Sequence, residues 1–183
     1  MPKNNQNQSL PNILLIVFSM IWIVFTSIRS SSTAEIRNVQ PQKGFLAPDF
    51  QLKSLDGNTV SLDQLNGKPI LINFWASWCI PCQTEMPAIQ EMFERYGSKI
   101  YIAAINNTAQ DSLANVRAFV NKNQLTFPVL LDERGLITSS YQVQALPTTF
   151  FVNSNGVIQE IIIGGPMSET LLEIRFKQLL GEP

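Results

Sequence analysis

Residues 70–87 read ILINFWASWCIPCQTEMP, and this stretch decides the fold. Ile70, Leu71 and Ile72, followed by Phe74 and Trp75, make an apolar run suited to a strand buried on both faces. The chain's only two cysteines, Cys79 and Cys82, come next, with two residues between them. Residues 83–96 then read as a helix, with Ile89, Met92, Phe93 and Tyr96 at helical spacing. The cysteine pair therefore lies where a strand ends and a helix begins.

A helix start leaves backbone N–H groups unpaired and carries a partial positive charge, which stabilises a thiolate and lowers its pKa. In such a turn the first sulfur, Cys79, is expected to be exposed and to attack a partner's disulfide. Cys82, one turn inside the helix, then attacks Cys79 and releases the partner. Pro81 suits the first helical turn, where its missing N–H costs nothing, and it stiffens the loop between the sulfurs.

Other readings of the pair are weaker. A structural disulfide across so short a loop contributes only about 2 kcal/mol. A zinc site needs about four ligands, and the chain has two cysteines and no histidine. Covalent haem attachment needs histidine after the second cysteine, where Gln83 stands. Two inert buried thiols fit the strand-turn-helix setting poorly. A redox dithiol needing neither metal nor cofactor is the reading that remains.

FWASWCIPC resembles the active-site segment of the thioredoxin superfamily. WCIPCQTEMP matches the WCxPCxxExP pattern of its membrane-anchored bacterial branch, the TlpA/ResA-like thiol-disulfide oxidoreductases. The resemblance runs from about Gly44 to the end of the chain. It implies a thioredoxin-like α/β fold: a central mixed, mainly parallel sheet flanked by helices, with an N-terminal β-hairpin and a βα insertion. It also implies that Ala145-Leu146-Pro147-Thr148 is the cis-proline loop beside the sulfurs, so that the backbone of Leu146 is free to pair with an incoming peptide. Trp78, Ile80, Pro81, Leu146 and Pro147 are then the substrate-binding residues. Glu85, three residues after Cys82, joins Cys79 and Cys82 as a catalytic residue that tunes the thiols or accepts a proton; the alternative is an exposed surface glutamate.

Four positions depart from related patterns. Thioredoxin has a buried aspartate where Asn73 stands, and an amide cannot take a proton. Ile80 replaces the thioredoxin glycine and leaves the rim beside Cys79 apolar. Peroxiredoxins share the entry segment 47–68, but their PxxxTxxC pattern meets Ile72 and Ala76 here, so a peroxidase reading fails at both positions.

The chain has 183 residues, 45% of them hydrophobic, and a net charge of −1, enough for one domain with an appendage. The near-neutral balance gives no support for nucleic acid binding. Without histidine, the usual triads and imidazole acid-base chemistry are excluded.

Residues 1–12 read as a polar tail. Residues 13–28 are an uncharged apolar run spanning roughly 24 Å as a helix. This fits a signal-anchor that leaves the domain on the outer side of a bacterial cytoplasmic membrane. A signal peptide cleaved after Ala34, giving a secreted or periplasmic protein, is the competing reading. Residues 29–43 read as a linker, and 44–183 as the domain.

Within that domain, Asp56-Gly57-Asn58 is a hairpin turn. Residues 100–105 read as a buried strand, and Leu113, Val116, Phe119 and Val120 as a helix capped by Asp111 or Ser112. Ser168 is expected to cap a last helix through Leu180. Pro87 is expected to bend the active-site helix.

The expected partners are protein disulfides, with apocytochrome c thiols as the example set by relatives, and a membrane thiol-disulfide reductase as electron donor. A disulfide-forming oxidase, a non-catalytic peptide-binding module and a copper chaperone are the alternatives. The missing histidine counts against the last.

Overall fold

A computed structural model describes residues 15, 17–20, 22, 38–65 and 67–182. The strand Ile70–Trp75 (β3) is buried at all of its positions. It pairs in parallel with β4 (Tyr101–Asn106) and antiparallel with β6 (Thr148–Val152). Outside these lie β5 (Val129–Leu131), β7 (Ile158–Ile163) and the hairpin of β1 (Gln51–Ser54) and β2 (Thr59–Ser61). The sheet order is β2-β1-β5-β4-β3-β6-β7.

The sheet is mixed, as expected, but not mainly parallel. Only β3/β4 and β4/β5 run parallel; the other four neighbouring pairs are antiparallel. The physical reason is connectivity. Helices α1 (Ile80–Tyr96) and α2 (Leu113–Lys122) carry the chain across the sheet between β3, β4 and β5, whereas tight turns join β1 to β2 and β6 to β7.

Side chains alternate across β3 with period two. Leu71 and Trp75 pack with α1 and with α4 (Glu169–Leu180), among Met86, Ile89, Leu172 and Phe176. Ile70, Ile72 and Phe74 face the other layer, with Phe50, Ile105, Tyr141 and Phe150. Asn73 therefore lies on the α1 side. Fully buried Trp75 is the packing residue; truncation to alanine is expected to cost about 3–5 kcal/mol.

Helix α1 begins earlier than its apolar spacing indicates. Cys79 is extended (φ −80°, ψ 106°) and serves as N-cap, Pro81 lies in the first turn, and the helix runs on through Pro87 to Tyr96. Ser112 caps α2 and Ser168 caps α4 through their side chains. A short helix, α3 (Leu136–Ser140), precedes the proline loop.

The folded unit spans Asn38–Pro183, so it starts ahead of Gly44. Residues 38–43, read above as linker, are tied in through Gln40 N–H to the Leu46 carbonyl and Leu46 N–H to the Asn38 carbonyl. The 1–12 tail, most of the 13–28 run and residues 29–37 lie outside the described residues. Leu15, residues 17–20 and Trp22 are helical and exposed. Among the described residues no helix is long and apolar enough to cross a membrane.

Candidate active site

Cys79 and Cys82 are joined, with S–S 2.06 Å and Cα atoms 5.2 Å apart. The Cys82 N–H donates to Cys79 Sγ at 3.3 Å, so the helix start points a backbone dipole at the first sulfur. Cys79 was expected to be exposed, but in the disulfide it is 5% exposed and Cys82 is fully enclosed. Packing explains the difference: Cys79 belongs to the core layer, with Leu146 against that layer.

Access to Cys79 is from one side. It lines a groove of about 500 Å³ with Trp78, Ile80, Pro81, Val143, Ala145 and Leu146, closed by Asn107, Gln110, Thr138 and Gln144. None of these residues carries a formal charge. Trp78 (55% exposed) and Ile80 (74%) form an apolar rim, and Trp78 Nε1 donates to the Gln110 carbonyl at 2.8 Å. The Leu146-Pro147 bond is cis, as the loop's resemblance implied. Neither main-chain group of Leu146 has a hydrogen-bond partner among the described residues. A second depression, of about 430 Å³ between β1, β5 and α2, contains no thiol.

Glu85 is not a surface glutamate: it is fully buried. Asn73 Nδ2 donates to its Oε1 at 2.8 Å and the Met167 N–H to its Oε2 at 3.2 Å. Burial pushes its carboxyl above the ordinary range, and these two hydrogen bonds oppose the rise without cancelling it. Asn73 Nδ2 also donates to Thr149 Oγ1 at 2.9 Å.

The loop before Cys79 is held by a residue that the sequence suggests only as a helix cap. Asp111 accepts from Ser77 N–H (2.6 Å), Ser77 Oγ (2.7 Å), Asn106 Nδ2 (3.0 Å) and Ser112 N–H (2.8 Å). Desolvation raises its carboxyl, but these donors outweigh it and hold Asp111 below the ordinary range. Gly165 was also missed. A Cβ there would lie 2.7 Å from Pro147 Cγ and 2.9 Å from Glu85 Oε2. The Gly164-Gly165-Pro166 run was the available signal, though it reads locally as a turn. Among the described residues no group of three or more metal-ligating side chains is gathered.

A mixed sheet with a Cys-x-x-Cys disulfide at a helix start, facing a cis-proline loop, defines the thioredoxin-like thiol-disulfide oxidoreductases. Comparison with known proteins agrees. The AhpC/TSA family model matches residues 44–161, and the chain belongs to that family. It is 42% identical over 156 residues to the thioredoxin-like protein YneN of Bacillus subtilis, covering 85% of this chain and 89% of that one. It is 35% identical over 157 residues to the thiol-disulfide oxidoreductase ResA of Oceanobacillus iheyensis, covering 83% and 78%. The crystal structure of StoA from Bacillus subtilis superposes with a TM-score of 0.62 at 30% identity, covering 70% of this chain and 96% of that one.

Proposed function

We propose that the protein reduces protein disulfides on the outer side of the cytoplasmic membrane, tethered there by residues 13–28. Apocytochrome c is the candidate substrate, and a membrane thiol-disulfide reductase the electron donor. The observation that carries the catalytic part is the asymmetry of the pair: Cys79 lines the groove and Cys82 does not. This asymmetry supports Cys79 as the sulfur that meets substrate and Cys82 as the one that resolves.

In the reduced protein the Cys79 thiolate, stabilised by the start of α1, attacks a partner's disulfide seated against Trp78, Ile80, Pro81, Leu146 and Pro147. One partner sulfur leaves and a mixed disulfide forms. Cys82 gives its proton to the Glu85 carboxylate and attacks Cys79 Sγ. The bond to the partner breaks and the second partner sulfur departs reduced. The Cys79–Cys82 disulfide then needs two electrons from the donor before the next turn. The apolar residues Ile72 and Ala76, both fully buried, support disulfide exchange over peroxide reduction.

Equilibrating the full chain with thiol buffers tests the direction. A reductant is expected near about −270 mV or lower; a value near about −120 mV would make it an oxidase. Replacing both cysteines by serine should abolish exchange, and retained function would mean a binding module. Labelling of Cys79 by a membrane-impermeant thiol reagent in intact cells is expected under the outward placement, and protection would overturn it.

A further inference from the structure

Every position of β3 is buried, yet its fourth residue is an amide. Asn73 gives one N–H to Glu85 Oε1 and the other to Thr149 Oγ1, while its Oδ1 has no partner among the described residues. An unpaired buried carbonyl is destabilising, so an aliphatic side chain would suit the strand better. What justifies the amide is what its NH₂ holds.

The other oxygen of Glu85 is held from a different part of the chain. The Met167 N–H reaches Oε2, and Gly165, just before it, lies so close to both Pro147 and Glu85 that a Cβ would overlap them. β3 and the 164–167 loop therefore grip one carboxyl at its two oxygens, with β6 bracing Asn73 through Thr149. Cys82 and Glu85, three residues apart, share a face of α1.

We propose that Asn73 and the Met167 N–H are a two-point clamp that positions the Glu85 carboxylate to take the Cys82 proton during resolution. Gly165 supplies the close approach. This rests on the role given to Glu85 above. In the step, the proton moves from Cys82 Sγ to Glu85. The freed electron pair forms the Cys79–Cys82 bond, and the Cys79–partner bond breaks onto the partner's sulfur, which is thereby reduced.

Asn73 and the Met167 N–H are the groups that act on the Glu85 carboxyl, with no charged side chain beside them among the described residues, and Cys82 shares its face of α1. Glu169 and Glu173 of α4 are paired with Arg95 at the other end of α1, and Lys177 with Glu173.

The test uses the reduced full chain and 5,5′-dithiobis(2-nitrobenzoate) in a stopped-flow instrument. The first release of thionitrobenzoate reports Cys79 attack, and the second reports resolution by Cys82. Glu85→Gln should slow the second phase roughly a hundredfold at neutral pH and remove its acid limb. Asn73→Ala should move that limb up by about one pH unit, a tenfold loss on the limb, leave the first phase alone, and add less than about twofold in the Glu85→Gln background. Asn73→Asp preserves the side chain's shape should the alanine variant not fold. It sets two carboxyls sharing one proton, so it too should move the limb up.

An unchanged second phase in Glu85→Gln would sink the role of Glu85 itself. If Glu85→Gln behaves as expected, the clamp alone is overturned by either of two results. One is an acid limb unmoved in the Asn73 variant that folds; the other is an Asn73 effect that persists undiminished without Glu85.

Discussion

Replacing Asp111 by alanine tests how the loop before Cys79 is held. The carboxylate takes four donors. Two of them recover easily after truncation: the Ser77 hydroxyl can rotate, and the Ser112 N–H can turn to water. The Ser77 N–H loses its acceptor, and the fully buried Asn106 Nδ2 keeps only a long bond to the Trp75 carbonyl at 3.5 Å. Each such loss costs about 1–3 kcal/mol, so about 2–6 kcal/mol is expected in all. With a urea slope of about 2 kcal/mol per molar, the midpoint of the oxidised protein should fall by about 1–3 M.

The pH dependence fixes the cause. The folded-state value of Asp111 is lowered, so its contribution is fully present above the ordinary carboxylate range. It is lost as pH falls through the folded value. Asp111→Asn should therefore be less stable than the native chain near neutral pH, with the gap closing in acid. A midpoint within about 0.3 M of the native one for Asp111→Ala would refute the reasoning. So would a gap for Asp111→Asn that acid does not close.

The remaining predictions concern the other side of the sulfurs. Gly165→Ala gains about 0.4–1 kcal/mol through the unfolded chain but must move Pro147 or Glu85, at about 1–3 kcal/mol. Its urea midpoint should fall, and a neutral or stabilised variant would mean the loop yields freely. Glu85 has a folded value above its unfolded one, so its contribution is present in acid and lost as pH rises through the folded value. Glu85→Gln should therefore gain stability relative to the native chain between acid and neutral pH in thermal melts. Parallel pH profiles would contradict that sign.

The strand-turn-helix core of the site was legible because its signals are local. An apolar run, a cysteine spacing, a proline in the first turn and serine caps each act within a few residues. The same holds for the hairpin at Asp56-Gly57-Asn58, whereas the cis loop around Pro147 followed from the family resemblance alone. What could not be read depends on contacts the topology alone creates. Asp111 meets Ser77 across 34 residues and Met167 meets Glu85 across 82, and nothing near either end announces the pairing. The balance of parallel and antiparallel pairs likewise depends on strand order, and the inclusion of residues 38–43 on the bonds of Asn38 and Gln40 to Leu46, which itself pairs with Val157. The exposure of Cys79 is set by the layer packed behind it, not by its place at a helix mouth.

The most direct test is to expose single-cysteine variants of the full chain to a disulfide-bonded protein substrate and count the covalent adducts. Cys82→Ser should accumulate a mixed disulfide through Cys79, and Cys79→Ser, with its remaining sulfur enclosed, should not. Adducts on Cys79→Ser alone, or on neither variant, would contradict the account.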